Sequence, residues 1–102
     1  MKLTTTITDT VAVLAVNGEL TLKSVITFRD AIEKLVANPG VNLIEIDLGE
    51  TRYLDSSALG TLIAARESAR RVQKTIALTQ CRGSIRQALE IARFDMLFSI
   101  TP

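Results

Sequence analysis

The sequence contains no histidine and a single cysteine, Cys81, among its 102 residues. Without histidine, Ser-His-Asp and Cys-His nucleophilic catalysis are excluded, together with the commonest metal ligand. The usual sulfur and nitrogen cages for zinc are excluded for the same reason. A lone cysteine allows no internal disulfide, and we expect a small, partly buried thiol rather than a reactive one. No metal and no cofactor are predicted.

The sequence also lacks the patterns that bind nucleotides or run acid–base chemistry. Its five glycines are spread out and form neither a phosphate-binding loop nor a dinucleotide-binding turn. The carboxylates of Glu45 and Asp47 alternate with apolar residues at strand spacing, which predicts charges that point away from the packed face. We therefore expect a protein that is not an enzyme.

Long hydrophobic runs are missing too. No segment approaches the roughly 18 apolar residues of a membrane span, and the N-terminus lacks the apolar centre of a signal peptide, so a cytoplasmic location is expected. The net charge is only +1, with the basic residues scattered, which favours neither nucleic acid nor membrane as a partner. One basic cluster stands out and is interpreted as a solvated helix face, with a partner-binding patch as the alternative: Arg66, Arg70, Arg71 and Lys74.

What is present is a regular alternation of strand and helix patterns. Apolar residues make up 47% of the chain, enough for one folded domain over residues 1–102. Residues 3–8 and 10–16 predict a hairpin. A helix follows, with Thr21 or Ser24 as its cap and Asn38-Pro39-Gly40 at its end. Its apolar stripe consists of Val25, Phe28, Ile32 and Leu35.

The second half continues the alternation. Residues 41–48 predict a strand, residues 49–53 a loop, and Asp55 the start of a second helix, whose expected apolar stripe is Leu59, Leu62, Ile63, Ala69 and Val72. A strand at 75–79, a third helix capped by Ser84 and a short apolar end piece complete the chain. This order predicts an α/β fold with a mixed sheet of four to five strands, an N-terminal hairpin and helices mainly on one face.

The segment Asp55-Ser56-Ser57 carries two interpretations. As plain structure it is a good helix start, because short oxygen-bearing side chains accept hydrogen bonds from the first-turn N–H groups. As a functional site, it holds a serine hydroxyl at the surface on a rigid support, where a kinase can reach it. A phosphate there adds about 1.5 to 2 negative charges, which the helix N-terminus tolerates and a fitted partner does not.

Several segments together resemble the bacterial STAS-domain anti-sigma factor antagonists. The most specific stretch runs from Ile46-Asp47-Leu48 through Tyr53-Leu54-Asp55-Ser56-Ser57-Ala58-Leu59-Gly60, and it is similar to the family pattern D-L-S-x-x-x-x-[MIL]-D-S-S-G-L-G. The resemblance extends over nearly the whole chain, through Gly18-Glu19-Leu20, residues 84–89 and residues 94–98. It implies the STAS fold.

The resemblance also implies a switch. In that family a GHKL-type serine kinase, which doubles as the anti-sigma factor, phosphorylates the second serine of the core, here Ser57, and a PP2C-type phosphatase reverses the reaction. The unphosphorylated antagonist binds the kinase and so releases its other client, usually a sigma factor. The residues that the resemblance assigns to the partner surface are Thr21, Asp55, Ser56, Ser57, Ala58, Leu59 and Gly60. Plain packing is the alternative role for Leu59 and Gly60.

Three positions depart from the family pattern. Gly49 stands where the family often has serine, Ala58 replaces the glycine after the phosphorylated residue, and Thr21 stands where many members have aspartate. The alternative hypothesis is a STAS subunit of a transporter or signalling scaffold that is not phosphorylated. An enzyme or small-ligand binder ranks third.

Overall fold

The computed structural model describes all residues from 1 to 102 and opens with an antiparallel hairpin. Strand β1 (Lys2–Thr8) pairs with β2 (Val11–Leu20), from Thr8 opposite Val11 to Lys2 opposite Asn17. The two residues between them form the turn, where Asp9 has a φ of 55°. The predicted hairpin is confirmed, although β2 extends four residues beyond the predicted end.

A parallel unit follows the hairpin. Helix α1 (Val25–Val36) leads into β3 (Leu43–Asp47), which pairs in parallel with the first half of β2. Helix α1 forms because its buried residues recur at three- and four-residue steps, and three of the four predicted stripe residues are buried, namely Phe28, Ile32 and Leu35. The helix ends at Val36, before the Asn38-Pro39-Gly40 segment, as predicted.

The prediction of a loop over residues 49–53 is wrong. Residues Thr51–Leu54 form a further strand, β4, which pairs in parallel with the end of β2. Helix α2 (Ser56–Arg70) starts directly after it with Asp55 as the N-cap, as the sequence predicted. Two members of its predicted apolar stripe, Ile63 and Val72, are exposed, because the buried face is made of Ala58, Leu62, Ala65 and Ala69.

The last third contains β5 (Thr75–Thr79), which pairs with β3, and helix α3 (Gly83–Ile91). The prediction that Ser84 caps α3 is wrong, because the helix already begins at Gly83 and Arg82 occupies the cap position without a side-chain bond. A short 3₁₀ turn (Phe94–Met96) then precedes the C-terminal tail, in which Ile100 bridges to Leu78 of β5.

The sheet order is β1-β2-β3-β5, with β4 also on β2. The predicted mixed sheet of four to five strands is confirmed, and it has five. Alternate residues of the central strands are buried on one face, as at Ile44 and Ile46, whereas Glu45 and Asp47 lie half-buried on the other face. The buried apolar residues form one cluster of 23, enclosed between the sheet and its helices. The helices therefore cover mainly one face, as predicted.

Candidate functional site

The end of β2 and the short strand β4 form the frame of the site. Within the pairing of β2 with β4, the register shifts at a bulge between Gly18 and Glu19. The buried Thr51 hydroxyl donates to the Val16 carbonyl at 2.7 Å, and the Gly18 N–H donates to the Glu50 carbonyl at 3.1 Å. Gly18 has a φ of +107°, which a side chain rarely adopts. These bonds fix where β4 begins beside β2.

Asp55 ties the start of α2 to the loop that precedes α1. One carboxylate oxygen, Oδ1, accepts from the Ala58 N–H at 2.9 Å, which is a helix N-cap. The other oxygen, Oδ2, accepts from the Leu22 N–H at 3.0 Å, 33 residues earlier in the chain. The Asp55 N–H donates to the Leu20 carbonyl at 3.3 Å. The β2–α1 loop (residues 21–24) and the first turn of α2 are therefore held as one unit.

Ser56 and Ser57 occupy the first turn of α2. Ser56 is exposed and Ser57 is half-buried. The Thr61 hydroxyl donates to the backbone carbonyl of Ser57 at 2.8 Å. The side-chain hydroxyls of Ser56 and Ser57 make no hydrogen bond within the chain. No acidic residue lies in the first turn of the helix, and the N-terminal end of a helix favours negative charge. The position suits the addition of a phosphate without loss of the fold.

The remaining predicted site residues fall into different environments. Ala58 is fully buried in the core, so its predicted role as a partner contact is wrong, because the chain itself covers its methyl group. Leu59 is half-buried and packs against the core, whereas Gly60 is exposed. Thr21 is half-buried in the β2–α1 loop, and its N–H donates to Ser24 Oγ at 3.0 Å. The surface around Ser57 is therefore formed by the loop and the exposed side of α2.

Ser24 has a different role from the one predicted. It occupies the N-cap position of α1 but makes no side-chain bond to that helix. Its hydroxyl instead lies 3.2 Å from the carbonyls of Glu19 and Thr21 and organises the loop before the helix. The same loop borders a groove lined by both Lys23 and Arg52. Two cations therefore lie along the rim of the loop.

Sequence reasoning missed two exposed apolar side chains beside the site. Leu22, whose N–H is held by Asp55, is 71% exposed, and Ile26 in the first turn of α1 is 70% exposed. Tyr53, in the strand that leads into α2, is also exposed. Ile26 lies outside the apolar stripe of α1, and Leu22 is an apolar residue in a loop. The sequence therefore contained a sign that each of these side chains is exposed. Clustered exposed apolar groups are typical of protein-binding surfaces.

The structure explains one departure from the family pattern. A Cβ added at Gly49 lies 3.1 Å from Asp47 Oδ1 and 3.2 Å from the Gln80 Cβ. The Gly49 N–H also donates to Asp47 Oδ1 at 2.9 Å. Glycine at this position therefore suits the tight approach of the β3–β4 turn (residues 48–50) to the end of β5, and a serine there requires its neighbours to move.

The basic cluster at the end of α2 and in the turn that follows it does not form one patch. Arg66 Nε donates to the Leu97 carbonyl at 2.8 Å, and both Arg66 and Arg70 pair with Glu67. Lys74 Nζ donates to the carbonyls of Leu35 and Asn38, where α1 ends. Arg66 therefore binds the C-terminal tail, and Lys74 binds the end of α1. The rest of the face carries charges of both signs.

Cys81 is fully buried, which exceeds the partial burial that the sequence predicted for a small thiol. Burial raises its pKa to about 11, and the Asp47 carboxylate adds to the rise while Arg86 opposes it. The thiol is therefore neutral near pH 7. No three acidic or cysteine side chains lie together in a way that would hold a metal ion. None of the helices is both long and apolar enough to cross a lipid bilayer.

The amino-acid sequence of this chain is similar to those of known proteins. A family profile described as "Mlab, STAS domain" matches residues 3–100. A STAS-domain containing protein of Pseudomonas aeruginosa is 39% identical over 74 residues, which cover 72% of this chain and 71% of that protein.

Solved structures share the fold. An anti-sigma factor antagonist from Mycobacterium paratuberculosis superposes with a TM-score of 0.87 at 23% identity, covering 99% of this chain and 85% of that one. The phosphorylated form of the Bacillus cell fate determinant SpoIIAA superposes with a TM-score of 0.75 at 17% identity, covering 99% of this chain and 92% of that one. At sequence identities this low, the structural similarity establishes the fold. The function is inferred from the residues of the site.

Proposed function

This chain belongs to the STAS-domain family, and on that premise we propose that it is an anti-sigma factor antagonist whose binding to a protein partner is switched off by phosphorylation of Ser57. It acts by binding and performs no catalysis. The observation that carries the proposal is the unpartnered Ser57 hydroxyl in the first turn of α2, on a helix start that Asp55 holds from two sides.

The position of Ser57 suits a switch rather than a structural serine. Its hydroxyl satisfies no other group, so removal of the oxygen leaves nothing unpaired. A phosphate at the same place lies beside the Asp55 carboxylate and at the positive end of α2, so the fold tolerates it. The partner meets two neighbouring negative charges where it met a neutral hydroxyl, and a like-charge contact of this kind costs several kcal/mol at an interface.

The exposed side chains around Ser57 supply the attractive part of the contact. Leu22, whose N–H is bonded to Asp55, and Ile26 in the first turn of α1 present exposed apolar area. The exposed Gly60 allows a partner to approach the backbone of α2 closely. Apolar anchors surrounded by a polar rim are the usual source of binding energy in protein interfaces. Binding and its control therefore lie on one continuous surface.

The family resemblance supplies the class of partner. The proposed partner is a GHKL-type serine kinase that is also the anti-sigma factor, and the proposed resetting enzyme is a PP2C-type phosphatase. One of the solved relatives is itself known in a phosphorylated form, which supports a modified state for this fold.

The test compares Ser57 with Ser84, an exposed serine in the first turn of α3. Ser57→Ala, Ser57→Asp and Ser84→Asp are used with the wild type as parallel baits in lysate of the native host, and bound proteins are identified by mass spectrometry. We expect a GHKL-type kinase with the wild type, Ser57→Ala and Ser84→Asp, and its loss with Ser57→Asp. Phosphate mapping on protein purified from the same host should find the modification on Ser57.

Two results would overturn the proposal. Retention of the same kinase by Ser57→Asp shows that charge at this position does not control binding. Capture of transporter or scaffold proteins by all four baits alike favours the hypothesis of a STAS subunit without phosphorylation.

A further inference from the structure

The two edges of the sheet differ. At the β5 edge the C-terminal tail is paired, since the Leu78 N–H donates to the Ser99 carbonyl at 2.9 Å and the Thr101 N–H donates to the Leu78 carbonyl at 3.0 Å. At the other edge, β1 pairs only with β2 and nothing covers its outer side. We propose that two copies of this chain associate through their β1 strands, antiparallel and centred on Thr5, to form one continuous sheet.

Strand β1 lacks the features with which sheets protect a free edge. It has no proline and no bulge, and its only charged residue, Lys2, stands at its end. Four of its seven residues are threonine, a residue that favours strands. Free edges of this length are normally shortened, charged, twisted away or covered, because they pair readily with other strands. An unprotected seven-residue edge is therefore a pairing surface.

The backbone of β1 fixes the register of the pair. The two-residue turn makes Thr8 and Val11 the closing hydrogen-bonded pair of the hairpin, so alternate residues back to Lys2 bond to β2. The N–H and C=O groups of Leu3, Thr5 and Ile7 then point outward. With Thr5 opposite Thr5 of the second copy, each outward donor meets an outward acceptor across the two-fold axis.

The same register is favourable for the side chains. Leu3 and Ile7 lie on the face that α1 covers, since Leu3 pairs with the buried Val16 and alternate residues share a face. Pairing centred on Thr5 sets Leu3 of one copy against Ile7 of the other, once on each side of the axis. Ile7 is 47% exposed in the single chain and gains an apolar neighbour in the pair. The spacing of these residues about Thr5 therefore matches a second copy of the same strand.

Charges along the seam also suit two identical copies. The groove between β1 and α1 is lined by Leu3 and Thr5 on one side and by Asp30 and Lys34 on the other. Each copy therefore brings one charge of either sign to the seam, so the pair gathers no net charge there. A strand pair flanked by two helices is a small interface, so we expect a dissociation constant of about 1–100 μM.

The proposed pairing leaves Ser57 and the first turn of α2 free. Strand β3 pairs in parallel with the first half of β2, and β4 continues in the same direction along the end of β2. Both strands therefore lie on the side of β2 opposite to β1. Helix α2, which begins after β4, is therefore separated from the seam by β2. A dimer of this kind presents two Ser57 surfaces, and its existence does not depend on what binds them.

The association is tested by sedimentation velocity over a protein concentration range from about 1 μM to 1 mM, which brackets the dissociation constant expected of a small interface. Two variants address the seam: Ile7→Lys places a charge in it, and Thr5→Pro removes an outward N–H without touching the bonds to β2. Ile91→Lys is the matched control, because it makes the same exchange at an 82% exposed residue of α3. We expect dimers for the wild type and Ile91→Lys, and at least tenfold weaker association for both seam variants, with circular dichroism confirming that all four fold.

Cross-linking reports the register. In the proposed pair the two Thr5 residues are directly opposite, at a Cα separation of about 5.5 Å that suits a disulfide, whereas the two Thr8 residues are about 20 Å apart. We expect Thr5→Cys to form a disulfide-linked dimer under mild oxidation and Thr8→Cys to remain monomeric. A wild type that stays monomeric up to about 1 mM, a dimer unaffected by either seam variant, or equal cross-linking at both positions would overturn the proposal.

Discussion

Gly60 is the residue whose substitution we expect to change the stability of the fold and the affinity for a partner in opposite directions. It lies on the exposed side of α2, and a Cβ added there meets no atom within 4 Å. Glycine inside a helix is less stable than alanine by about 0.5–1 kcal/mol, because it loses more backbone freedom on folding. The packing of the single chain gives no reason for a helix-weakening residue at this position.

Gly60→Ala should therefore raise the free energy of unfolding by about 0.5–1 kcal/mol, measured by urea denaturation. If a partner lies against the helix at this point, the added methyl group also weakens its binding, and we expect at least a tenfold loss in affinity, or about 1.4 kcal/mol. A more stable variant that binds the captured kinase like wild type would show that the partner approaches from the loop alone.

At the scale of elements, the β2–α1 loop and α2 depend on one side chain. The two oxygens of Asp55 accept two backbone N–H groups from segments far apart in the chain. Asp55→Ala loses both bonds, and we expect a destabilisation of about 1.5–3 kcal/mol from the helix cap and the loop contact together. Chemical denaturation measures this loss, and hydrogen exchange of the Leu22 amide should quicken.

Asp55→Asn is the matched comparison for that substitution. Its single amide oxygen can still cap α2 through the Ala58 N–H, while its NH₂ group faces the Leu22 N–H and cannot accept from it. Its stability should fall between wild type and Asp55→Ala. An alanine variant as stable as wild type would mean that the two bonds contribute little to the coupling of these elements.

The elements that the sequence predicted well are those with a strong period. Helix α1 and strand β3 carry clear patterns of three to four and of two residues, and the Asp55 cap marks the start of α2 without ambiguity. Strand β4 was missed because it has four residues, only its first and last are buried, and its buried polar residue Thr51 is satisfied by a distant carbonyl. No local pattern reveals a strand whose pairing partner is more than 30 residues away.

The candidate site also has some features that the sequence predicts and others that it does not. The helix start and its two serines follow from sequence, because capping is a local property. The Asp55 contact to Leu22 spans 33 residues, and the burial of Ala58 depends on how α2 sits on the sheet. Both are products of tertiary packing, which a single sequence without structure leaves open.

At the scale of the whole molecule, the C-terminal tail closes one edge of the sheet and completes the core. Phe98 is buried and stacks on Phe94 with ring centroids 5.6 Å apart. The sequence predicted only an apolar end piece here. The backbone that follows pairs with β5, so the tail acts as part of the sheet rather than as an appendage.

Phe98→Ala should therefore destabilise the entire fold by about 3–5 kcal/mol, a large share of the 5–15 kcal/mol that domains usually have. For a chain of this size the loss corresponds to a fall in Tm of roughly 15–30 °C, which differential scanning calorimetry measures. The exposed Met96, two residues earlier, provides the control, and Met96→Ala should leave Tm within a few degrees. Equal effects at the two positions would contradict a structural role specific to Phe98.

The burial of Cys81 decides how the molecule can be observed. Maleimide and related dyes react with the thiolate, and a covered thiol whose pKa is near 11 offers almost none at pH 7. A cysteine introduced at an exposed position such as Arg71 is then the one reactive sulfur on the folded chain. A fluorophore can be attached there with the native cysteine in place, so energy-transfer measurements of partner exchange can be made on an otherwise unaltered sequence.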